Sequence, residues 1–298
     1  MALAWRQVRV PGASVWAFVP AWGGAGPRRV NAPVVERARI EEAARMDGTC
    51  IYLGPLSSHF GHFLLESLAR AWYLIEAEPS LPILFHGWSE ELTLTSFASA
   101  FLTALEVDPS RIRIVAGRDV RVGRLVLPSS QFWQGVSASP GMCVVFDHIR
   151  EKMLRARTGS AQTPAKVYLS RRGLGGTRAS GEAREVIANE EEAEALFRGR
   201  GYEILRPQSV PIEEQVAIVA NATHVAGPSG SALHLMLFNA NLQARLIELR
   251  TKPAFNQLLI SAIRGNEAFH VSCHTKKGSP GHMIIDMDVV ERAVREID

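Results

Sequence analysis

The chain has 298 residues, 47% of them hydrophobic and 21% charged, which excludes a disordered polymer and gives length enough for two domains of about 150 residues each. Its 33 basic and 30 acidic residues leave a net charge of +3, too small an excess to indicate a nucleic-acid surface. No run reaches the roughly 18 consecutive apolar residues of a membrane span.

Arg6 and Arg9 interrupt the opening segment, so it lacks the apolar core of a signal peptide. Cys50, Cys143 and Cys273 are far apart, odd in number and form no CxxC pair. A thiolate zinc site is thereby excluded, a disulfide framework is disfavoured, and the expectation is a reduced, soluble, cytoplasmic protein. The first forty residues are broken by Pro11, Pro20, Gly23, Gly24, Gly26, Pro27 and Pro33, with Val15 to Val19 as a candidate strand.

From residue 49 a rhythm of strands and helices sets in. Thr49 to Leu53, Leu81 to Phe85, Arg111 to Val115 and Arg124 to Leu127 read as strands. Phe60 to Glu78, Glu90 to Leu105 and Pro140 to Arg157 read as helices. Thr158 to Pro164 is small and polar and reads as a linker. Beyond it, Lys166 to Ser170, Tyr202 to Leu205, Thr223 to Ala226 and Ala244 to Leu249 are predicted strands. Glu190 to Gly201, Pro211 to Asn221, Ser229 to Phe238 and a final Val289 to Ile297 are predicted helices. Short apolar strands alternating with helices predict parallel sheets with helical crossovers. The expected organisation is an α/β protein of two doubly wound, Rossmann-like domains: residues 1–157, a linker over 158–165, and residues 166–298, with the last helix packing on either domain.

In open α/β sheets ligands bind beyond the carboxyl ends of the strands. Three predicted strand ends in the second half carry suitable chemistry. Lys166 to Ser170 runs into a glycine-rich loop bearing Arg171, Arg172 and Arg178, whose guanidinium groups can fork onto phosphate oxygens. The alternative is a solvated basic loop. Next, Ser229, Gly230 and Ser231 open a helix whose free N–H groups and dipole suit an anion, or form a plain capped turn. His234 in that helix reaches a ligand or fills a half-buried slot. Finally, Glu248 closes a buried strand, where an acid accepts from ribose hydroxyls or pairs with Arg250 or Lys252 at the surface. Together the three ends suggest a cradle for a nucleotide diphosphate. Neither the GxxxxGK[ST] loop nor the strict GxGxxG fingerprint occurs.

In the first half, at about 100° per residue, His59, His62, Glu66, Arg70 and Tyr73 share an arc of roughly 80° on the predicted helix, opposite Leu64, Leu65, Leu68 and Trp72. A row of titratable groups suits acid–base work or substrate binding, while the plain alternative is a solvated face. Metal binding is disfavoured because no further ligand set lies nearby. Asp286-Met287-Asp288 has the form of a metal-binding DxD, and its place before the last helix suggests a cap instead.

In order and spacing these segments resemble glycosyltransferase family 61, a family of inverting sugar transferases, over about residues 57–250. The likeness rests on His59 to Glu66 with Arg70, and on Tyr168-Leu169-Ser170-Arg171-Arg172. It continues through Arg184 to Glu190 (one residue longer than the family spacing), Gly201 to Ile204, Gln215, the Gly227 to Leu233 loop and Glu248. Ser229 stands where the family often has His. Any charge that His would supply must then come from Arg171, Arg172, Arg178 or His234.

The resemblance implies a GT-B-like fold of two facing Rossmann-like domains, with the nucleotide sugar (UDP- or GDP-linked) in the C-terminal domain and the acceptor glycan on the N-terminal side. It implies hexosyl or pentosyl transfer with inversion, needing no metal or separate cofactor, in the making of bacterial surface polysaccharide. Glu66 or His62 is the expected base, with His59 behind them. Arg70 and Tyr73 are expected on the substrate, and Arg171, Arg172, Arg178, Ser229, Gly230, Ser231, His234 and Glu248 on the donor diphosphate. A non-catalytic sugar-nucleotide-binding or scaffold protein, or another nucleotide-dependent transferase such as a pyruvyl transferase, fits the same pattern. Expected partners are the nucleotide sugar and the acceptor glycan, with no nucleic acid. The modest charge with Trp5, Trp16 and Trp22 allows peripheral membrane contact, and a homo-oligomer is allowed too.

Overall fold

The computed structural model describes residues 18–19, 28–29, 43–76, 80–87, 92–116, 119–157, 163–174, 186–250, 252, 254–276 and 282–297. Arg178, Arg184, the three N-terminal tryptophans and most of the expected linker lie outside these residues.

The chain is a mixed α/β protein with two parallel sheets. The first contains β1 (Ala44–Pro55), β2 (Ile83–Gly87), β3 (Ile112–Ala116) and β4 (Val120–Val126) in the order β3-β2-β1-β4. The central strand β1 carries Cys50, Ile51 and Leu53 fully inside, the near-continuous apolar run expected of a parallel strand covered on both faces. The second sheet contains β5 (Lys166–Leu169), β6 (Glu203–Leu205), β7 (His224–Pro228), β8 (Arg245–Arg250) and β9 (Glu267–Ser272), all parallel, in the order β6-β5-β7-β8-β9.

That second order is 2-1-3-4-5, a doubly wound order whose switch point falls between its first and third strands. Here the switch lies between β5 and β7. The strands lie so close there that a Cβ on Gly227 would stand 2.7 Å from the Leu169 carbonyl oxygen. The prediction missed β9 and the helix Phe255–Arg264 before it. In both, partly exposed residues interrupt the apolar pattern.

Strand alternation sorts the residues of this sheet. Val167, Leu169, Val225 and Leu246 join the main core, while Tyr168, Ala226, Ile247 and Leu249 face a second cluster. The second cluster is closed by the helices Glu190–Gly199 and Met287–Ile297, so the last helix packs on the C-terminal sheet. The main core joins both halves of the chain. Phe63, Phe85 and Phe101 from the first half share it with Val216, Leu237 and Phe238 from the second. The Phe238 ring stacks on Phe101 at 5.4 Å and meets Phe146 edge-on at 4.9 Å. Across the same boundary the largely buried Arg264 pairs with Asp147 at 2.7 Å.

Candidate active site

The helical stretch predicted over 60–78 is present but not a regular α-helix. It runs as an α turn (Phe60–His62), a π segment (Phe63–Ser67), a 3-10 turn (Leu68–Arg70) and an α segment (Trp72–Glu76). π segments inside helices recur at functional sites. Phe63, Leu64, Leu65 and Leu68 bury the apolar side, and the Ser67 hydroxyl donates to the Pro55 carbonyl at the end of β1.

The wider π turn alters the phase of the residues beyond it. His59, His62 and Glu66 stay together: the two imidazoles meet edge-on at 4.9 Å, and His62 Nδ1 lies 2.8 Å from Glu66 Oε1. Arg70, expected beside them on the substrate, turns inward and donates to the Pro128 carbonyl at 2.7 Å. Its Nε is buried without a hydrogen-bond partner, 3.4 Å from where a Gly54 Cβ would stand. Burial lowers the Arg70 pKa, while Tyr52 and Glu66 act the other way. Gly54, at φ +97°, adopts the left-handed backbone that glycine tolerates. Tyr73 packs on the core and against the Trp72 ring.

Side chains that the sequence did not single out complete this corner. Gln134 sits at the tip of a short hairpin made by Phe132–Trp133 and Ser137–Ala138. Its Nε2 donates to Glu66 Oε1 at 2.5 Å. Asn256, in the first turn of the helix Phe255–Arg264, donates to Gln134 Oε1 at 3.4 Å and accepts the Gly135 N–H at 2.9 Å. Exposed Trp133, Val136 and Phe255 flank these amides in sequence. The one sequence cue was an amide ahead of a turn glycine, too common to stand out.

At the switch point of the second sheet, Arg171 leaves β5 and reaches across to the Ser229 carbonyl beyond β7 (3.0 Å). Arg250, at the end of β8, donates to the Ser229 hydroxyl at 3.1 Å. Gly230 and Ser231 follow and open a 3-10 helix, Ser231–Phe238, rather than the expected α-helix. Glu248 shares its strand face with Leu246, towards the main core, and is fully buried rather than surface-paired. Its Oε2 faces His270 Nδ1 at 2.6 Å and accepts the Ala254 N–H at 3.3 Å, while Oε1 has no hydrogen-bond partner.

Arg172 takes a different course from Arg171. It pairs with Glu191 at 2.8 Å and with the buried Glu194 at 3.4 Å, where Arg206 also binds at 2.9 Å. An open hollow of about 520 Å³ lies there, lined by Arg172, Gly173, Arg206, Gln208 and Ser209. Burial pushes the Glu194 carboxyl pKa up, but the Ser170 hydroxyl and Arg206 together leave it lowered. Burial raises its neighbour Glu190, although Glu190 accepts the Arg171 N–H. Asn189 bonds both backbone groups of Ile285, and Gln215 bonds the Pro207 and Val210 carbonyls, so two residues of the resemblance hold loops in place. Asp286 caps the last helix through the Val289 N–H.

The two corners touch. A Cβ on Gly61 would stand 2.8 Å from Ser231 Cβ and 3.0 Å from His234 Nδ1. His234 is buried against this glycine, with its pKa pushed down to about 3 by burial first and then by His59 and His62. Gly61 thus sets the helix that carries His62 and Glu66 against the Ser231 turn, and Arg171 and Arg250 bond the adjacent Ser229.

Among the described residues no three His, Cys, Asp or Glu side chains are grouped to hold a metal ion. No described helix is long and apolar enough to cross a membrane. No curated protein sequence gives a match to the chain. The family model for Glycosyltransferase 61 matches residues 60–247, from the start of the histidine helix to the strand position before Glu248. That match spans more than half the chain, and by it this protein belongs to glycosyltransferase family 61.

Proposed function

We propose that the protein transfers a sugar from a nucleotide-sugar donor to a glycan acceptor with inversion, on a GT-B-like arrangement in which the second sheet carries the donor and the first half presents the acceptor. The observation that carries this reading is the meeting, through Gly61 and Ser231, of a His62–Glu66 pair with a switch-point crevice spanned by Arg171 and Arg250.

Inverting transfer needs a base for the acceptor hydroxyl and a stabilised leaving group on the opposite side of the anomeric carbon. Glu66 accepts a hydrogen bond from the His62 Nδ1–H, which leaves Nε2 as the base, oriented as a carboxylate orients imidazole in hydrolytic triads. As Nε2 takes the hydroxyl proton, the acceptor oxygen bonds the anomeric carbon and the bond to the diphosphate breaks. Arg171 and Arg250, already aimed at the Ser229 turn, offset the developing charge without a metal. The unpartnered Oε1 of Glu248, fully enclosed here, accepts from a hydroxyl of the donor once local movement of the site admits it. Exposed Trp133 and Phe255 give the acceptor an apolar rim beside Gln134 and Asn256. The setting is the cytoplasm, where nucleotide sugars are made.

The test is direct. UDP, GDP and CMP, and their sugars, are titrated calorimetrically into wild type, Arg171→Ala and Glu248→Ala. At least one nucleotide is expected to bind wild type, and about tenfold more weakly to Arg171→Ala, the loss of roughly one charge-assisted contact. Binding by none of the three would end the reading.

A further inference from the structure

The hydrogen bonds around Glu66 form a chain whose direction is fixed at one end. A backbone N–H cannot exchange donor for acceptor, whereas side-chain amides and imidazoles can. Gly135, held at φ +67° at the hairpin tip, points its N–H at Asn256 Oδ1, 2.9 Å away. That contact makes Oδ1 the acceptor and leaves Asn256 Nδ2 to donate to Gln134 Oε1. Gln134 must then present its NH₂ group to Glu66 Oε1, at 2.5 Å. The same oxygen faces His62 Nδ1 at 2.8 Å. Gln134 Nε2 also stands 3.3 Å from that nitrogen. An ionised carboxylate oxygen can only accept, so its shorter contact, 2.8 Å, makes Nδ1 its second donor against the competing second N–H of the amide at 3.3 Å.

We propose that Gln134 and Asn256 are positioning residues that dictate which nitrogen of His62 carries the proton: a relay from the Gly135 N–H through Asn256, Gln134 and Glu66 keeps it on Nδ1 and leaves the lone pair on Nε2. Asn256 lies two residues beyond Ala254, whose N–H is bound by Glu248, so a relay that starts and ends in the first half of the chain passes through the second. Its bearing on catalysis rests on the transferase reading above, whereas the proton's location does not. Among the described residues, the titratable groups that face His62 include His59 on its own helix and the buried His234 opposite.

The experiment is long-range ¹H–¹⁵N correlation of the histidine rings in the full chain at pH 8, with His62 assigned by its loss in His62→Gln. Wild type is expected to show the Nδ1–H tautomer. Asn256→Asp still accepts from Gly135 but cannot donate to Gln134, so the amide is turned away from Glu66. Gln134→Met removes the amide altogether. Both variants are expected to show a mixture in which the Nε2–H form rises to a comparable share. An Nε2–H tautomer in wild type would overturn the proposal even if neither variant folds. Spectra unchanged in folded variants would overturn it as well. Once the donor is known, Asn256→Asp is expected to lower kcat about tenfold or more with the donor KM unchanged, the mark of an interaction that matters in the transition state. A correct tautomer with no transfer from any donor would defeat the functional reading alone.

Discussion

Gly61 and Gly227 show how little room the site leaves. At Gly227 the obstacle is the Leu169 backbone, 2.7 Å from any added Cβ, and backbone has nowhere to go. At Gly61 it is the Ser231 and His234 side chains. Gly227→Ala is expected to cost about 2 kcal/mol and Gly61→Ala about 1 kcal/mol, by overpacking. Gly199, near which an added Cβ meets nothing within 4 Å, serves as the control: Gly199→Ala is expected to be neutral or slightly stabilising. Urea titrations of the three variants would rank them. The importance of a glycine was legible where a motif named it, as in the Gly227 loop. That Gly61 meets Ser231, 170 positions away in the chain, depends on tertiary packing.

The buried histidines make a residue-scale prediction about pH. His234 is pushed down to about 3 and His86 to about 4, in both cases chiefly by burial, with Arg70 adding to the effect at His86. Both are neutral in the folded protein at pH 7, as they are in the unfolded chain. Below the ordinary histidine value near 6.5, the unfolded chain takes up protons that the folded one refuses. Stability is therefore fully present above about pH 6.5 and falls with pH towards those lower values. Between pH 7.5 and 5.5 each histidine is expected to remove about 1 kcal/mol. His234→Asn should flatten the difference by about half, and an unchanged pH dependence in a folded variant would contradict its burial as a neutral base.

Among the elements, the helix from Phe60 to Glu76 best separates what sequence conveys from what it hides. Its apolar side and its histidines were legible from periodicity, and so was the face that His62 and Glu66 share one turn apart, though not that the two bond each other. Projection at a constant angle also aligned Arg70 and Tyr73, and the π segment breaks that assumption. Nothing in residues 63–67 announces a wider turn, and the contacts beside it, Ser67 on the Pro55 carbonyl and Arg70 under Gly54, are tertiary ones that a local pattern does not carry. The strands of the second sheet were the most readable parts, since burial on both faces leaves continuous apolar runs. The glycine–arginine loop was half readable: Arg171 reaches the Ser229 turn, whereas Arg172 joins Arg206 on Glu194. A carboxylate as enclosed as Glu194, with two cations and a hydroxyl gathered on it, is costly to remove. Glu194→Ala is expected to destabilise the protein by about 3 kcal/mol and to increase hydrogen exchange at residues 170–174, measured by mass spectrometry. Protection there equal to wild type would count against Glu194 as their anchor.

For the whole molecule, two α/β halves were foreseeable and their union was not. The alternation of strands and helices marks each sheet, but no local pattern says that Phe101, Phe146 and Phe238 meet, or that Arg264 will be buried beside Asp147. Such contacts join residues about a hundred positions apart, and periodicity carries no information at that range. With one core running through both halves, heating is expected to give a single calorimetric transition, with van't Hoff and calorimetric enthalpies in agreement. Two resolved transitions would mean that the halves melt separately.

The aromatic seam around Phe238 also restricts how a ligand can come and go. Halves sewn together along such a seam are expected to resist swinging apart like a clamshell, so the frame should hold still when a nucleotide is added. X-ray scattering curves recorded with and without saturating nucleotide should therefore superimpose.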